Sequence, residues 1–245
     1  MAQMGLYLYC ITNAPEVSSF GRGGIENEDE EIFTIKYKDI SAVVSNAEIK
    51  QYRPTRKNNL VHQGTIEKVM EKYPVLPFRF GIVADNEKGV VKMLESKYMS
   101  FKNLLDKVSN KFEMGVKVSH ANVEEVLSSI ADSNQVIEQL KREKTIVTGN
   151  LNLIIEVGKM IERELNAISL NYKDDIFDRL SAFADESIAN ENLSNEMVLN
   201  ASFLIGKDME EAFDKLIIEL DAKYENKLNF KCTGPFPPYS FVNIQ

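Results

Sequence analysis

Apolar and polar positions in the first half of the chain follow the periods of strands and helices. Four segments have the alternating or continuous apolar pattern of strands: 5–12, 32–37, 40–45 and 75–84. Helical spacing appears over 58–73, and again from a cap at Asp85 and Asn86 to Val108. The segment 5–12 is apolar on both faces and therefore predicts a central strand. The order β-β-β-α-β-α predicts an α+β unit with its helices on one side of a sheet.

The second half repeats this organisation with longer helices. Three strands are predicted, of which the second is half-buried with apolar odd positions: 115–120, 197–205 and 228–232. Apolar residues three or four apart predict helices over 140–172 and 209–224. We therefore predict an N-terminal α+β domain over 1–115, a C-terminal α+β domain over 116–233, and a tail over 234–245 that docks on the fold.

The tail differs from an ordinary chain end, which is usually polar and frayed. It contains a glycine, three prolines and three aromatic residues: Gly234, Pro235, Phe236, Pro237, Pro238, Tyr239 and Phe241. Prolines reduce the entropy that an apolar segment loses when it docks. The tail could therefore dock on its own fold or on a partner, and the strand pattern just before it favours its own fold. We expect deletion of 234–245 to destabilise the monomer.

Composition narrows the functional class. The chain is 44% hydrophobic and 27% charged, which is typical of a globular protein. Its net charge of −8, without a cluster of lysine and arginine, argues against nucleic-acid binding. The apolar runs fall short of the roughly 18 residues that a membrane span needs, and no secretory signal is visible. Cys10 and Cys232 lie in strand patterns, so we expect buried free thiols in a cytoplasmic protein without a membrane span.

No residue pattern predicts catalysis or a cofactor. His62 and His120 are the only histidines, and neither has a second ligand at metal-binding spacing. Nothing in the sequence brings a histidine and a cysteine together as a nucleophile pair. The glycine-rich segment 21–24 lacks the lysine and serine or threonine of a phosphate-binding loop. We therefore predict no catalytic residues, no metal and no cofactor.

Two segments carry a family resemblance. The first is 75–81, with Pro77, Arg79, Phe80 and Gly81, and the second is the tail with the residue before it. Both resemble signatures of the gas vesicle protein F/L family, accessory proteins of the buoyancy organelles of prokaryotes. Residues 5–9 and 40–45 also resemble the family's first and third strands. One departure is Phe236, which stands where the family commonly has tryptophan.

The resemblance implies a non-enzymatic protein of two α+β domains, of which the C-terminal one is ferredoxin-like and carries additional long helices. It also implies a minor structural or assembly role at the gas vesicle, in contact with the main hydrophobic shell protein. Other gas vesicle accessory proteins are the second class of partner. The resemblance does not distinguish the F type from the L type. The alternative is a small-molecule-sensing regulatory module built from tandem ferredoxin-like domains.

Within the first segment, two residues have a specific structural expectation. Arg79 lies between two phenylalanines on a predicted strand, so it is either held by an ion pair or hydrogen bond, or exposed. Pro77 has no backbone N–H to donate and is expected on an edge strand or at a bulge.

Overall fold

The computed structural model describes residues 3–15, 19–25, 27–135, 137 and 151–244. Within these ranges the fold is mixed α+β, as the sequence predicts, and it has two antiparallel sheets and six α-helices. The chain divides into two compact units. The first comprises Met1–Met114, Leu204–Lys207 and Gly234–Gln245, and the second comprises Gly115–Phe203 and Asp208–Thr233. The tail therefore belongs to the first unit.

The first unit is built around a central strand. Its strands are β1 (Met4–Thr12), β2 (Ile32–Tyr37), β3 (Ile40–Glu48), β4 (Val75–Pro77) and β5 (Val83–Ala84). Its helices are α1 (Arg56–Met70), α2 (Glu87–Ser96) and α3 (Tyr98–Val108). The strand order is β2-β3-β1-β4, and β5 also pairs with β1. Because β1 pairs with β3 on one side and with β4 and β5 on the other, it has the central position predicted from its two apolar faces.

The helices of this unit lie on both faces of the sheet, so the expectation of one face was wrong. Leu8 of β1 belongs to one core with Leu94 of α2 and Phe101 of α3. Tyr9 of β1 belongs to a second core with residues of α1, including Ile66. The reason lies in β1 itself, since a strand that is apolar on both sides needs cover on both sides.

Two predicted elements of this unit are interrupted. The strand predicted over 75–84 is present only as β4 and β5, because the chain turns at Phe80 and Gly81 between them. Of the predicted cap residues Asp85 and Asn86, the second caps the helix, since its side chain accepts from the Gly89 N–H. The helix predicted to continue to Val108 breaks into α2 and α3 at Lys97. Lys97 has φ −111° and ψ 12°, which are not helical values.

The second unit contains the other sheet. Its strands are β6 (Lys111–His120), β7 (Glu186–Ala189), β8 (Met197–Gly206) and β9 (Leu228–Phe236), in the order β7-β8-β6-β9. The ends of β6, β8 and β9 belong to the first unit. Its helices are α4 (Val123–Ser133), α5 (Leu151–Ser181) and α6 (Glu210–Lys223), with a 3-10 turn over Lys207–Met209. Phe203 of β8 contacts Phe177 of α5 and Phe213 of α6, so both helices cover the same face of β8.

Several predictions for the second half need correction. Sequence patterns missed the short β7, whose residues are half-buried or exposed. Strand β8 is buried on both faces rather than one, since the even positions Val198 and Leu204 are enclosed along with the odd ones. The part of the predicted helix 140–172 that covers 140–150 lies outside the described residues, and α5 continues past its predicted end to Ser181. Ile154, predicted on its packed side, is exposed.

Two strands of the second sheet also differ from expectation, one where it begins and the other where it ends. Strand β6 begins at Lys111 rather than 115, and β9 continues through Gly234 and Pro235 to Phe236 instead of ending before them.

Cys10 and Cys232 are free, as predicted. Cys10 is buried, whereas Cys232 is only half-buried.

Candidate functional site

The two segments that carry the family resemblance meet in the first unit. They line a crevice of about 250 Å³, which we call the tail crevice: Pro77, Arg79, Tyr239, Ser240, Val242, Asn243 and Ile244. Pro77 ends β4, an edge strand, where its missing N–H costs no sheet hydrogen bond. Of the residues singled out in the sequence, Pro77, Arg79 and Tyr239 are brought together here.

A buried chain of hydrogen bonds fixes the segment after β4. The Gly81 N–H donates to the Tyr7 hydroxyl oxygen at 3.0 Å, and the Tyr7 hydroxyl lies 3.0 Å from Nδ1 of His62. Nε2 of His62 lies 3.1 Å from the Phe78 carbonyl oxygen, which can only accept. His62 therefore carries its proton on Nε2, and Nδ1 accepts from the Tyr7 hydroxyl. Every polar group in this series of hydrogen bonds is thereby paired.

The two titratable side chains in this series of hydrogen bonds, His62 and Tyr7, are uncharged at neutral pH. Burial lowers the pKa of His62 from its usual 6.5, although the bond to the Phe78 carbonyl opposes the shift. Burial also raises the pKa of the Tyr7 hydroxyl. The ring of Phe80 packs against the rings of both Tyr7 and His62, at 6.2 and 5.7 Å between centroids. Phe80 and His62 thus have a structural role, since their contacts support the backbone of the segment after β4.

Arg79 and Gly81 are explained by the turn between β4 and β5. Gly81 has φ +89°, a value that favours glycine, while a Cβ there would meet no atom within 4 Å. Glycine is needed for its backbone conformation and not for space. Arg79 is exposed, and no hydrogen bond or ion pair joins its guanidinium to another described residue. Of the two expectations for Arg79, the ion pair was wrong and the exposed side chain is observed.

The tail is held to this unit by a carboxylate that sequence reasoning missed. Glu113 of β6 is buried, and its Oε2 accepts from the Ser240 N–H at 2.8 Å. Its Oε1 accepts from the Ser240 hydroxyl at 2.6 Å. The Lys107 ammonium also reaches the Phe241 carbonyl at 3.5 Å. No local signal could have found the Glu113–Ser240 pair, because 127 residues separate its members.

Gly234 allows the tail to approach β6 closely. A Cβ at Gly234 would lie 2.6 Å from Sδ of Met114 and 2.9 Å from the Glu113 carbonyl oxygen. The residue also has φ +134°, which side chains rarely allow, and its peptide bond to Pro235 is cis. Both space and conformation therefore require glycine at this position.

Beyond Gly234 the tail alternates covered and open positions. Pro237, Pro238 and Phe241 are buried, and Phe236 is half-buried. Val242 and Ile244 pack against the core that α2 and α3 form on the sheet. Tyr239 is 39% exposed. The tail crevice thus has a mixed lining, in which the apolar Pro77, Val242 and Ile244 lie beside the polar Ser240 and Asn243, the exposed Arg79 and the partly exposed Tyr239.

In the described ranges, no group of three or more His, Cys, Asp or Glu side chains could hold a metal ion. None of the helices in those ranges is long and apolar enough to cross a membrane.

Comparisons with known proteins agree with the two motifs. The family model for gas vesicle synthesis protein GvpL/GvpF matches residues 5–243. Gas vesicle protein F of Microcystis aeruginosa is 30% identical, covering 98% of this chain and 99% of its own length. Gas vesicle protein F of a Nostoc strain is 27% identical, with 98% of each chain covered.

Solved structures give the same result. The crystal structure of the gas vesicle protein GvpF from Anabaena sp. PCC7120 has a TM-score of 0.85 and 26% identity, covering 98% of this chain and 99% of that one. GvpF from Microcystis aeruginosa has a TM-score of 0.80 and 25% identity, with the same coverage. With a match over nearly every residue and with both motifs assembled in one unit, this chain belongs to the gas vesicle synthesis protein GvpL/GvpF family.

Proposed function

We propose that this protein is an F-type gas vesicle accessory protein that takes part in vesicle assembly by binding the main hydrophobic shell protein. Family membership supports a role at the gas vesicle, and the relatives compared above are named as F proteins. It works in the cytoplasm and at the vesicle, without catalysis. Other accessory proteins of the vesicle are its second class of partner.

The physical task explains why such a protein is needed. Subunits with a large apolar surface aggregate unless that surface is shielded until assembly. A shielding protein needs a contact site with apolar walls and a polar rim on an exterior charged enough to keep the complex dispersed. The net charge of −8 provides the second requirement.

The tail crevice is the observation that carries the proposal. It combines the two family motifs, and it exposes Arg79 and Tyr239 beside the apolar residues Pro77, Val242 and Ile244. Arginine and tyrosine are enriched among residues that contribute most to protein interfaces. We propose the tail crevice as the contact site for the shell protein.

We further propose that the second unit is ferredoxin-like. Its elements follow the order β-α-α-β-β-α-β among the described residues, with α4 and α5 both between β6 and β7. The strand order β7-β8-β6-β9 places the first and third strands at the centre and the second and fourth at the edges. That arrangement supports a split βαβ topology with an additional helix.

Co-purification tests the function directly. Tagged protein is expressed with the shell protein, and the amount of shell protein retained is measured for the wild type, for Arg79→Glu and for Arg53→Glu. Arg53 is an exposed arginine outside the tail crevice and serves as the control. We expect Arg79→Glu to weaken retention about tenfold, a loss of about 1.4 kcal/mol, while Arg53→Glu retains it. If the wild type retains no shell protein, the proposed function is wrong; equal retention by both variants would overturn the site.

A further inference from the structure

A second cavity lies wholly in the second unit, away from the family motifs. It has a volume of about 370 Å³ and is lined by parts of α4 and α5 and by the residues just before β9. Val126 and Ile168 supply apolar walls, and His120 stands at the end of β6. Cavities of this size hold small molecules when a few polar groups converge on an apolar lining.

His120 leaves one nitrogen available inside this cavity. The side chain is only 5% exposed, and its Nε2 lies 2.9 Å from the Ser169 hydroxyl. Nδ1 has no partner among the described residues, yet it is not one of their fully enclosed unpaired atoms. Since His120 lines the cavity, its small remaining exposure opens there. The imidazole of His120 is thus more than nine-tenths buried, and its unpaired Nδ1 can bind a ligand group in the cavity.

The contact with Ser169 allows two tautomers of His120. If Nε2 donates to Ser169, the hydroxyl proton and the Nδ1 lone pair lack partners; if the hydroxyl donates to Nε2, the Nδ1 proton and the hydroxyl oxygen lack them. A ligand carboxylate in the cavity selects the second tautomer, in which His120 presents an N–H donor.

Two opposite charges complete the lining. Glu125 of α4 and Lys227 both face the cavity and both are exposed at its rim. Neither forms an ion pair with the other or with any other described residue. A ligand with one charge would leave one of these groups unpaired, whereas a zwitterion can pair with both. The phenol of Tyr172 also lines the cavity, without a hydrogen bond to another described residue.

We propose that this cavity binds a small zwitterion of the α-amino-acid type with an apolar side chain. Its carboxylate accepts from the His120 Nδ1–H and pairs with Lys227, and its ammonium group pairs with Glu125. Its side chain lies against Val126 and Ile168. Binding of this kind gives the second unit a small-molecule site, a function that goes beyond vesicle assembly and does not depend on it.

Thermal unfolding and titration calorimetry test the site on the full chain. The panel contains the common L-amino acids at millimolar concentration, with L-leucine as the first probe. Two matched molecules each lack one charge: 4-methylpentanoate has no ammonium group, and 3-methylbutylamine has no carboxylate. We expect L-leucine to raise the melting temperature, because a ligand that binds only the folded state stabilises it. We expect each single-charge probe to bind at least about tenfold more weakly.

Neighbouring charges provide matched controls for the variants. Lys227→Gln is compared with Lys231→Gln, and Glu125→Gln with Glu124→Gln, since all four side chains are exposed and only the first of each pair lines the cavity. The cavity variants should weaken leucine binding at least about fivefold, and the controls should leave it unchanged. The proposal is overturned if no amino acid in the panel binds, or if cavity and control variants weaken binding equally. Because no step involves the shell protein, failure here leaves the assembly function untouched.

Discussion

Removing the last seven residues gives the clearest test of how the tail is used. A stop after Pro238 deletes 239–245 but leaves β9 and its glycine in place. The deletion removes Phe241, which is 6% exposed, and both donors to the buried Glu113 carboxylate. If the tail docks on its own unit, the truncated protein must be less stable.

The expected loss can be estimated from these contacts. Burial of a phenylalanine side chain contributes about 2 kcal/mol. Hydrogen bonds to a charged group contribute roughly 1.5 to 3 kcal/mol each, but water can enter once the tail is gone, so we assign about 2 kcal/mol to the pair. The sum is about 4 kcal/mol. For a chain of this size each kcal/mol shifts the melting temperature by roughly 2 to 4 °C, so we expect a decrease of about 10 °C.

Calorimetry or circular dichroism at matched concentration measures this shift. Asn243→Ala is the control, because Asn243 is exposed and lies within the deleted segment. We expect the Asn243→Ala variant to have the melting temperature of the wild type. A truncated protein that melts like the intact one would refute self-docking. If that protein also failed to retain the shell protein, the tail would be an interface and not part of the fold.

Three further predictions concern single contacts of the first unit. Ser240→Ala and Glu113→Gln, combined in a double-mutant cycle of denaturant unfolding, should show a coupling of about 1 kcal/mol or more, and additive effects would contradict the contact. Gly234→Ala should cost more than about 2 kcal/mol, because its Cβ meets Met114 and its φ is unsuited to alanine; a melting temperature equal to the wild type would exclude the close approach. His62 has a pKa below 6.5 in the folded state, so the unfolded state binds more protons and stability must fall as the pH drops below about 6.5. Urea unfolding at pH 7.5 and 5.5 should show that His62→Gln flattens this dependence by up to about 1.4 kcal/mol per pH unit, and an unchanged slope would rule out His62 as its source.

The sequence by itself determined the features that depend on neighbouring residues. The two apolar faces of 5–12 predicted a central strand, and β1 is one. Asp85 and Asn86 predicted a helix cap, and the Asn86 side chain accepts from the Gly89 N–H. The unusual segments 75–81 and 233–242 predicted the family, and the match over 5–243 confirms it. Periodicity, capping and short motifs are local properties, so one sequence is enough to recognise them.

Only the tertiary structure decided how distant segments meet. For Arg79 the sequence allowed either a paired or an exposed side chain, and the structure shows it exposed in the tail crevice. Glu113 gave no signal in the sequence, although its carboxylate holds Ser240, 127 residues away. His120 appeared as an isolated histidine until the fold placed it in a cavity that Glu125 and Lys227 also line. Contacts of this kind depend on which elements the sheets bring together, and no local pattern records that arrangement.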